Sequence, residues 1–163
     1  MARVFIALGG NLGDVRATFG RAIDMLCAGG AVKLIGRSAD YRTPPWGVTD
    51  QPPFVNACIA VETDLPPQAL LERTQGIEKA LGRDRRNDTR WGPRPIDLDL
   101  IAYDDLTVDT PDLKLPHPYL FERAFVLVPL AEIAPEAVIG GRGVAEALAG
   151  IDRGGITRLP AQM

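Results

Sequence analysis

Two acidic residues separated by one position, Asp97 and Asp99, are the first candidates for chemistry in this sequence. Side chains at positions i and i+2 of a β-strand point to the same face, with Cα atoms about 6–7 Å apart. Two carboxylates placed this way repel each other unless a cation lies between them, and Mg²⁺ accepts such oxygen ligands. Two metal ions held there could activate a phosphoryl group. The alternative is a pair of solvated aspartates, because a chain this rich in aspartate is expected to contain such a pair by chance.

An arginine-rich segment directly before this pair gives it more weight. Residues 83–94 contain five arginines and two aspartates, an excess of three positive charges in a chain whose net charge is −3. Carboxylates and guanidinium groups occur together where the ligand is a polyphosphate with metal, since the acids hold the metal and the arginines bind phosphate oxygens. Trp91 could stack on a base or anchor the loop. A surface network of ion pairs is the alternative interpretation of the segment.

A second group of candidates lies on a predicted strand over residues 54–63. Its alternating apolar residues, from Val55 to Val61, form one buried row and leave Phe54 and Asn56 on the opposite face. A flat heteroaromatic ligand would use both side chains, because a phenyl ring stacks and an amide offers a paired donor and acceptor.

Other polar positions carry weaker signals. Gln75 and Glu78 share a face of a predicted helix, where solvated side chains are the default. The turn over residues 9–13 lies between a strand and a helix, so it is either a phosphate-binding loop or a plain tight turn. His117 lies between two prolines, and a single histidine is more often structural than catalytic.

The elements that position these residues follow from hydrophobic periodicity and from glycine and proline punctuation. Strands are predicted over 4–8, 32–41, 54–63 and 96–103, and helices after Asp14, after Pro66, over 121–133 and over 144–149. This order predicts an α+β fold of the ferredoxin-like, split βαβ type, an antiparallel sheet with helices packed on it. We expect one sheet face to carry the helices and the other to be free for ligand. Residues 43–53 and 83–95 fit no element, and loops of that length are usually functional.

Length and composition limit the class of protein. The 163 residues predict a single domain over 1–163. The net negative charge argues against a nucleic-acid partner. The spacing of Cys27 and Cys58 fits neither a CxxC motif nor a metal-binding motif. The sequence contains neither a typical signal peptide nor a membrane-spanning apolar stretch. We therefore expect a cytoplasmic monomer that acts on small molecules without binding a membrane.

The constellation resembles the 6-hydroxymethyl-7,8-dihydropterin pyrophosphokinase family, over nearly the whole chain up to about residue 135. The most specific match is RWGPRPIDLDLI at residues 90–101. Further matching segments are YRTPPWG at 41–47, DQP at 50–52, LPHP at 115–118 and ERAF at 122–125. The resemblance implies transfer of pyrophosphate from ATP to the pterin hydroxymethyl group in folate biosynthesis, with release of AMP, on a ferredoxin-like fold.

The resemblance also implies roles for individual residues. Asp97 and Asp99 would hold two Mg²⁺ ions, while Arg83 and Arg94 would contact the phosphates during transfer. Phe54 and Phe125 would sandwich the pterin, whose edge would be read by Asn56 and by the backbone from Thr43 to Trp46, including Pro44. The nucleotide site would be lined by Gln75, Glu78, Arg85, Trp91, Leu100, His117 and Arg123.

Three positions depart from the family pattern. Gly10 replaces a frequent Ser, Phe54 replaces a frequent Tyr, and Pro118 stands where some relatives carry Tyr. The last change puts a nucleotide contact at that position in doubt, whereas none of the three affects the implied metal ligands.

The expected mechanism is in-line attack of the pterin hydroxyl on the β-phosphorus, with the two long loops closing over the substrates. The sequence offers no convincing dedicated base, and His117 is expected to bind phosphate. The rival interpretations are an RNA-binding module of the same topology, a nucleotidyl transferase or cyclase with paired aspartates, and a ligand sensor without activity. The products discriminate among them, because pyrophosphoryl transfer releases AMP, nucleotidyl transfer releases pyrophosphate, and an ordinary kinase releases ADP.

Overall fold

The structure is a computed structural model that describes residues 1–44, 50–83 and 94–161. The strands in these residues are β1 (Ala2–Gly10), β2 (Val32–Arg37), β3 (Tyr41–Thr43), β4 (Phe54–Thr63), β5 (Asp97–Tyr103), β6 (Val108–Asp109), β7 (Lys114–Leu115), β8 (Val138–Ile139), β9 (Arg142–Gly143) and β10 (Thr157–Arg158). The helices are α1 (Val15–Cys27), α2 (Pro67–Ala80), α3 (Ala124–Ile133) and α4 (Val144–Ala149), with a short 3₁₀ helix at Leu120–Glu122.

The main sheet is antiparallel and has the strand order β10-β3-β4-β1-β5, with β2 also paired to β4. If β2 and β3 are taken as one interrupted strand, the four principal strands follow the ferredoxin-like order. The fold class predicted from the sequence is therefore confirmed.

Helices α1 and α2 cover one face of this sheet as predicted. The buried stripe of α1 includes Phe19 and Leu26, and that of α2 includes Leu70 and Ile77. These side chains pack against the alternating row of β4, of which Ile59 is 1% exposed. Asp14 caps α1 because its side chain accepts a hydrogen bond from the backbone N–H of Ala17.

The prediction that the other face is free for ligand was wrong for most of that face. Helices α3 and α4 cover it, and Leu127 and Leu130 pack with Cys58, Ala60 and Ile101 in a second buried cluster. The reason is that Cys58 and Ala60, the next two residues of β4 on the same face as Asn56, are small and apolar. The end of the face that carries Phe54, Asn56 and Asp97 opens as a pocket.

Two predicted elements differ in detail. The strand expected over 32–41 is interrupted, since Ser38 and Asp40 turn inward between β2 and β3 and are 3% and 5% exposed. The helix expected from 121 begins at Ala124 and continues through Pro129 without splitting. No helix in the described parts of the chain combines the length and apolar character that a membrane crossing requires.

Candidate active site

A pocket of about 300 Å³ opens at the uncovered end of the second sheet face. It is lined by Ala7, Leu8, Gly9, Thr43, Pro44, Phe54, Asn56, Arg83, Arg94, Asp97, Asp99, His117, Pro118, Tyr119, Arg123, Phe125 and Val126. The pocket thus brings together charged residues, aromatic rings and an amide that lie far apart in the sequence.

The floor of the pocket is built by the pairing of three strands. Gly9 of β1 lies opposite Asn56 of β4 on one side and opposite Asp97 of β5 on the other. A Cβ atom at Gly9 would lie 2.8 Å from Oδ1 of Asn56. The bare backbone at this position therefore leaves room for the amide beside the aspartate, a role that the sequence analysis did not assign to Gly9.

Asp97 and Asp99 lie on the same face of β5, as their spacing predicts, and both line the pocket. Burial at the pocket floor raises the pKa of Asp99 to about 7, and the negative charges of Asp97 and Glu78 add to the effect. A site that crowds carboxylates in this way gains from a bound cation.

The carboxylates of Asp97 and Asp99 suit Mg²⁺ better than a metal ion whose ligands all come from the protein. In the described ranges, with 45–49, 84–93 and 162–163 outside them, no group of three or more His, Cys, Asp or Glu side chains could hold a metal ion. Mg²⁺ typically takes one or two carboxylates and completes its shell with water and substrate phosphates. Asp97 and Asp99 meet that requirement.

Arg83 is fixed beside the aspartates by a buried network. Its Nη1 donates to Oε2 of Glu78 at 3.0 Å and to Oδ1 of Asp97 at 2.9 Å. The same oxygen of Glu78 accepts the backbone N–H of Leu98, the residue between the two aspartates, at 2.8 Å. Arg94 approaches the second oxygen of Asp97 at 3.7 Å. Two guanidinium groups thus converge on one carboxylate.

The opposite side of the pocket carries an amide and two rings. Nδ2 of Asn56 donates to Oγ1 of Thr43 at 2.8 Å, which fixes the orientation of the amide. Phe54 at the start of β4 and Phe125 in the first turn of α3 both line this side. The guanidinium of Arg123 lies 5.6 Å from the centroid of the Phe125 ring.

His117 is neutral in this environment. Burial lowers its pKa to about 4, the positive charge of Arg123 adds to this effect, and Asp97 opposes it. Its Nδ1 accepts the backbone N–H of Tyr119 at 3.1 Å, so in the neutral ring the proton resides on Nε2. Tyr119 also lines the pocket, 49% exposed, with the guanidinium of Arg123 at 5.2 Å from its ring centroid. The sequence pattern pointed to Pro118, whereas no signal in it indicated Tyr119.

Asn11 is a second residue that the sequence analysis did not single out. Its side chain accepts the backbone N–H of Arg94 at 2.9 Å and donates to Gln51 and to the carbonyl of Pro52. Its own N–H donates to the carbonyl of Arg94. The turn after β1 therefore joins the ends of the two long loops, which supports the tight-turn interpretation of residues 9–13.

Three residues expected at the nucleotide site do not line this pocket. Gln75 is exposed on α2. Leu100 is 3% exposed and lies in the core between the sheet and helices α1 and α2. Glu78 is 1% exposed, because its carboxylate accepts the hydrogen bonds of Arg83 and Leu98 inside the protein. The expectation that its side chain is solvated was wrong. Trp46, Arg85 and Trp91 lie outside the described residues, as do the rest of 45–49 in the first long loop and of 84–93 in the second.

Comparison with known proteins identifies the family of this chain. Residues 5–135 match the model of the 7,8-dihydro-6-hydroxymethylpterin-pyrophosphokinase (HPPK) family. This chain belongs to that family. The family recognised from the sequence motifs is therefore confirmed.

Curated relatives agree with this result along the full chain. A 2-amino-4-hydroxy-6-hydroxymethyldihydropteridine pyrophosphokinase of Methylorubrum extorquens is 53% identical over 159 residues, which cover 98% of this chain and 99% of the relative. The protein of the same name from Pseudomonas aeruginosa is 43% identical, with 97% of each chain covered.

Solved structures show the same HPPK fold at low sequence identity. Wild-type HPPK-DHPS of Plasmodium falciparum with pteroate superposes with a TM-score of 0.70 at 13% identity, over 91% of this chain and 42% of that chain. An HPPK-DHPS in complex with substrates gives a TM-score of 0.71 at 14% identity, over 96% and 46%. The present chain thus spans less than half the length of these solved chains.

Proposed function

We propose that the pocket between β1, β4, β5 and α3 is the active site of this HPPK. As a member of the family, the enzyme transfers pyrophosphate from ATP to the hydroxymethyl group of 6-hydroxymethyl-7,8-dihydropterin in folate biosynthesis. One observation carries the assignment of the site: a single pocket contains two aspartates, several guanidinium groups, two phenyl rings and an oriented amide.

The pterin occupies the side of the pocket that carries Phe54 and Phe125. The two rings stack on the faces of the heterocycle, and such aromatic pairs contribute about 0.5–1.5 kcal/mol beyond area burial. Asn56 and Thr43 bind its polar edge, since the hydrogen bond between them already orients the amide. Pro44 closes the same side of the pocket.

The phosphates occupy the side that carries the aspartates. Asp97 and Asp99 would hold Mg²⁺, two ions as the family resemblance implies, and the metal would supply Lewis-acid chemistry and neutralise phosphate oxygens. Arg83 and Arg94 lie against Asp97 and offer planar donor groups to the transferred phosphates. Together, the metal and these guanidinium groups make the electrostatic potential of the phosphate side positive, although the net charge of the chain is −3.

His117 and Arg123 bind the nucleotide phosphates. The imidazole donates from Nε2, because Nδ1 already accepts the N–H of Tyr119, and its neutral form has no free lone pair with which to remove a proton. The pterin hydroxyl attacks the β-phosphorus in line with the departing AMP, and the residues of the pocket orient the two reactants and exclude water.

The remaining expectations stay predictions. These are a single domain over 1–163, a monomeric state, a cytoplasmic location, nucleotide contacts from Arg85 and Trp91, a pterin contact from the backbone at Trp46, and closure of the two loops over the substrates. The first is supported by a sheet whose strands run from residue 2 to residue 158.

Analysis of the products tests the proposed chemistry. The purified chain is incubated with ATP, Mg²⁺ and 6-hydroxymethyl-7,8-dihydropterin, and nucleotides are separated by anion-exchange chromatography. We expect AMP in a one-to-one ratio with the pterin diphosphate. The variant Asn56→Ala is expected to raise the KM for pterin without changing which nucleotide is formed. ADP or inorganic pyrophosphate as the product would refute pyrophosphoryl transfer, and an unchanged pterin KM in Asn56→Ala would refute the assignment of this pocket.

A further inference from the structure

The C-terminal segment of the chain reaches back to the pterin side of the pocket. Strand β10 pairs antiparallel with β3, with Thr157 opposite Arg42 and Arg158 opposite Tyr41. On its other edge β3 pairs with the start of β4. Without β10, this three-residue strand would be an unprotected edge of the sheet.

Two of the pterin-side residues lie at the end of strand β3. Thr43 is its last residue, accepts the hydrogen bond of Asn56, and is 3% exposed, while Pro44 follows directly. Whatever fixes the position of β3 therefore fixes the residue that orients the Asn56 amide.

A buried carboxylate connects the C-terminal segment to β3 and α1. The side chain of Asp40 is 5% exposed and forms ion pairs with Arg16 at 2.8 Å and Arg37 at 3.0 Å. Nη2 of Arg16 donates to the carbonyl of Pro160. The backbone carbonyl of Asp40 accepts the N–H of Leu159 at 2.8 Å. One arginine of α1 thus binds both Asp40, the residue before β3, and Pro160, a residue after β10.

A turn before β10 also touches the pocket wall directly. Gly155 has a φ of +82°, and a Cβ atom there would lie 3.3 Å from Cγ of Pro44. The bare backbone of Gly155 therefore lies close to Pro44, a residue that lines the pocket.

We propose that residues 155–160, called the C-terminal clasp, position Thr43 and Pro44 for pterin binding, with Arg16 and Asp40 as the positioning residues that hold the clasp. The inference rests on the proposed function of the pocket. It assigns a role to a segment that lies outside residues 5–135, the part that matches the family model. The clasp touches no phosphate-side residue in the contacts described above, so its effect is on the pterin and not on ATP.

The test compares kinetic constants of full-length variants and of a shortened chain. Arg16→Ala removes the link between Asp40 and Pro160 but leaves Asp40 paired with Arg37, so folding is expected to survive. Arg16→Lys keeps a positive charge near Asp40 but lacks the two-armed donor. Arg21→Ala is the matched control on the same helix, because Arg21 is exposed and donates only to Thr18 in the described contacts. The shortened chain ends at Gly154.

We expect Arg16→Ala and the shortened chain to raise the KM for pterin about tenfold. This is smaller than the ~100-fold loss of rate that a 1 Å misplacement of reacting groups can cause. Arg16→Lys should give an intermediate value. The KM for ATP should stay within about twofold of wild type in every variant, and Arg21→Ala should match wild type. A general structural defect would instead lower the thermal midpoint and the active fraction and leave the pterin KM unchanged.

The outcomes separate this inference from the proposed function. An unchanged pterin KM in Arg16→Ala overturns the clasp, and so does an equal rise in both KM values. If the shortened chain does not fold, Arg16→Ala and Arg16→Lys decide. Asn56→Ala is measured in parallel: if it raises the pterin KM and the clasp variants do not, only the clasp is wrong. If Asn56→Ala has no effect, the pocket assignment itself fails.

Discussion

The carboxylate of Glu78 shows how one buried side chain can organise several residues of the proposed active site. It is 1% exposed, and one of its oxygens accepts hydrogen bonds from Arg83 and from the peptide N–H between the two aspartates. Glu78 therefore holds in place both a guanidinium of the pocket and the strand that carries Asp97 and Asp99. Its position on α2 makes that helix part of the site although the helix packs on the opposite sheet face.

Glu78→Gln is expected to lower the free energy of unfolding by about 2 kcal/mol, because it replaces a charged hydrogen-bond acceptor by a neutral one and leaves Asp97 as the remaining carboxylate partner of Arg83 among the described contacts. The kcat should fall as well, since Arg83 loses one of the two carboxylates that hold it beside the aspartates. Urea denaturation and steady-state kinetics measure the two effects. Glu72→Gln on the exposed side of the same helix should change stability by less than about 0.5 kcal/mol. A destabilised Glu78→Gln enzyme with the wild-type kcat would show that this carboxylate is not needed for turnover.

His117 is expected to stay neutral throughout the physiological range, and as the single histidine of the chain it gives an unambiguous NMR signal. Its pKa of about 4 lies below the unfolded value near 6.5, so the unfolded state binds more protons between these pH values. The stability that this group contributes is complete above pH 6.5 and is lost as the pH falls toward 4. A titration of the imidazole resonances checks the value, and a midpoint near 6.5 would contradict a buried, neutral ring.

At the scale of elements, two glycines in regular structure have opposite roles. Gly9 lies in the central strand β1, where an added Cβ would meet Asn56 at 2.8 Å, whereas nothing lies within 4 Å of such an atom at Gly20 in α1. The strand glycine makes room for the pocket, while the helix glycine only adds flexibility to the unfolded chain.

Gly9→Ala should therefore destabilise the protein by about 1–3 kcal/mol through overpacking and raise the KM for pterin by displacing the Asn56 amide. Gly20→Ala should stabilise it by about 0.5–1 kcal/mol and leave the kinetics unchanged. Denaturant unfolding and steady-state kinetics on both variants provide the comparison. Equal effects of the two substitutions would show that the space beside Asn56 has no importance.

At the scale of the whole molecule, a negatively charged protein must bind a highly charged nucleotide. The net charge is −3, yet Arg83, Arg94 and Arg123 line the same pocket as the two aspartates. The local field therefore depends on whether the aspartates are neutralised by metal. If the pocket holds ATP and Mg²⁺ as proposed, the binding of each is expected to depend on the other.

A non-hydrolysable ATP analogue at about 100 times its Kd should stabilise the folded enzyme by about 2.7 kcal/mol when Mg²⁺ is present. The shift should be much smaller with EDTA, and Asp97→Asn should lose most of the metal-dependent part. Differential scanning fluorimetry measures all four combinations. The same shift with and without Mg²⁺ would refute the role of the two aspartates in holding metal.

Much of this architecture was predictable from local patterns. The alternating row of β4, the stripes of α1 and α2, and the i, i+2 spacing of Asp97 and Asp99 follow from backbone periodicity alone. The motifs around them indicated the family, which the comparisons confirm. These features depend on residues that are neighbours in sequence, so a pattern over a few positions is sufficient to reveal them.

Other features were decided only by tertiary packing. The burial of Glu78, the cover of α3 and α4 over the second sheet face, the space left by Gly9, and the contacts of Asn11, Tyr119 and the C-terminal clasp all join residues far apart in the chain. Hydrophobic periodicity indicates which side of a helix or strand is buried, but it does not indicate which other element packs on that side. The sequence by itself therefore determined the family and the chemical groups, and the three-dimensional structure decided which residues hold those groups in position.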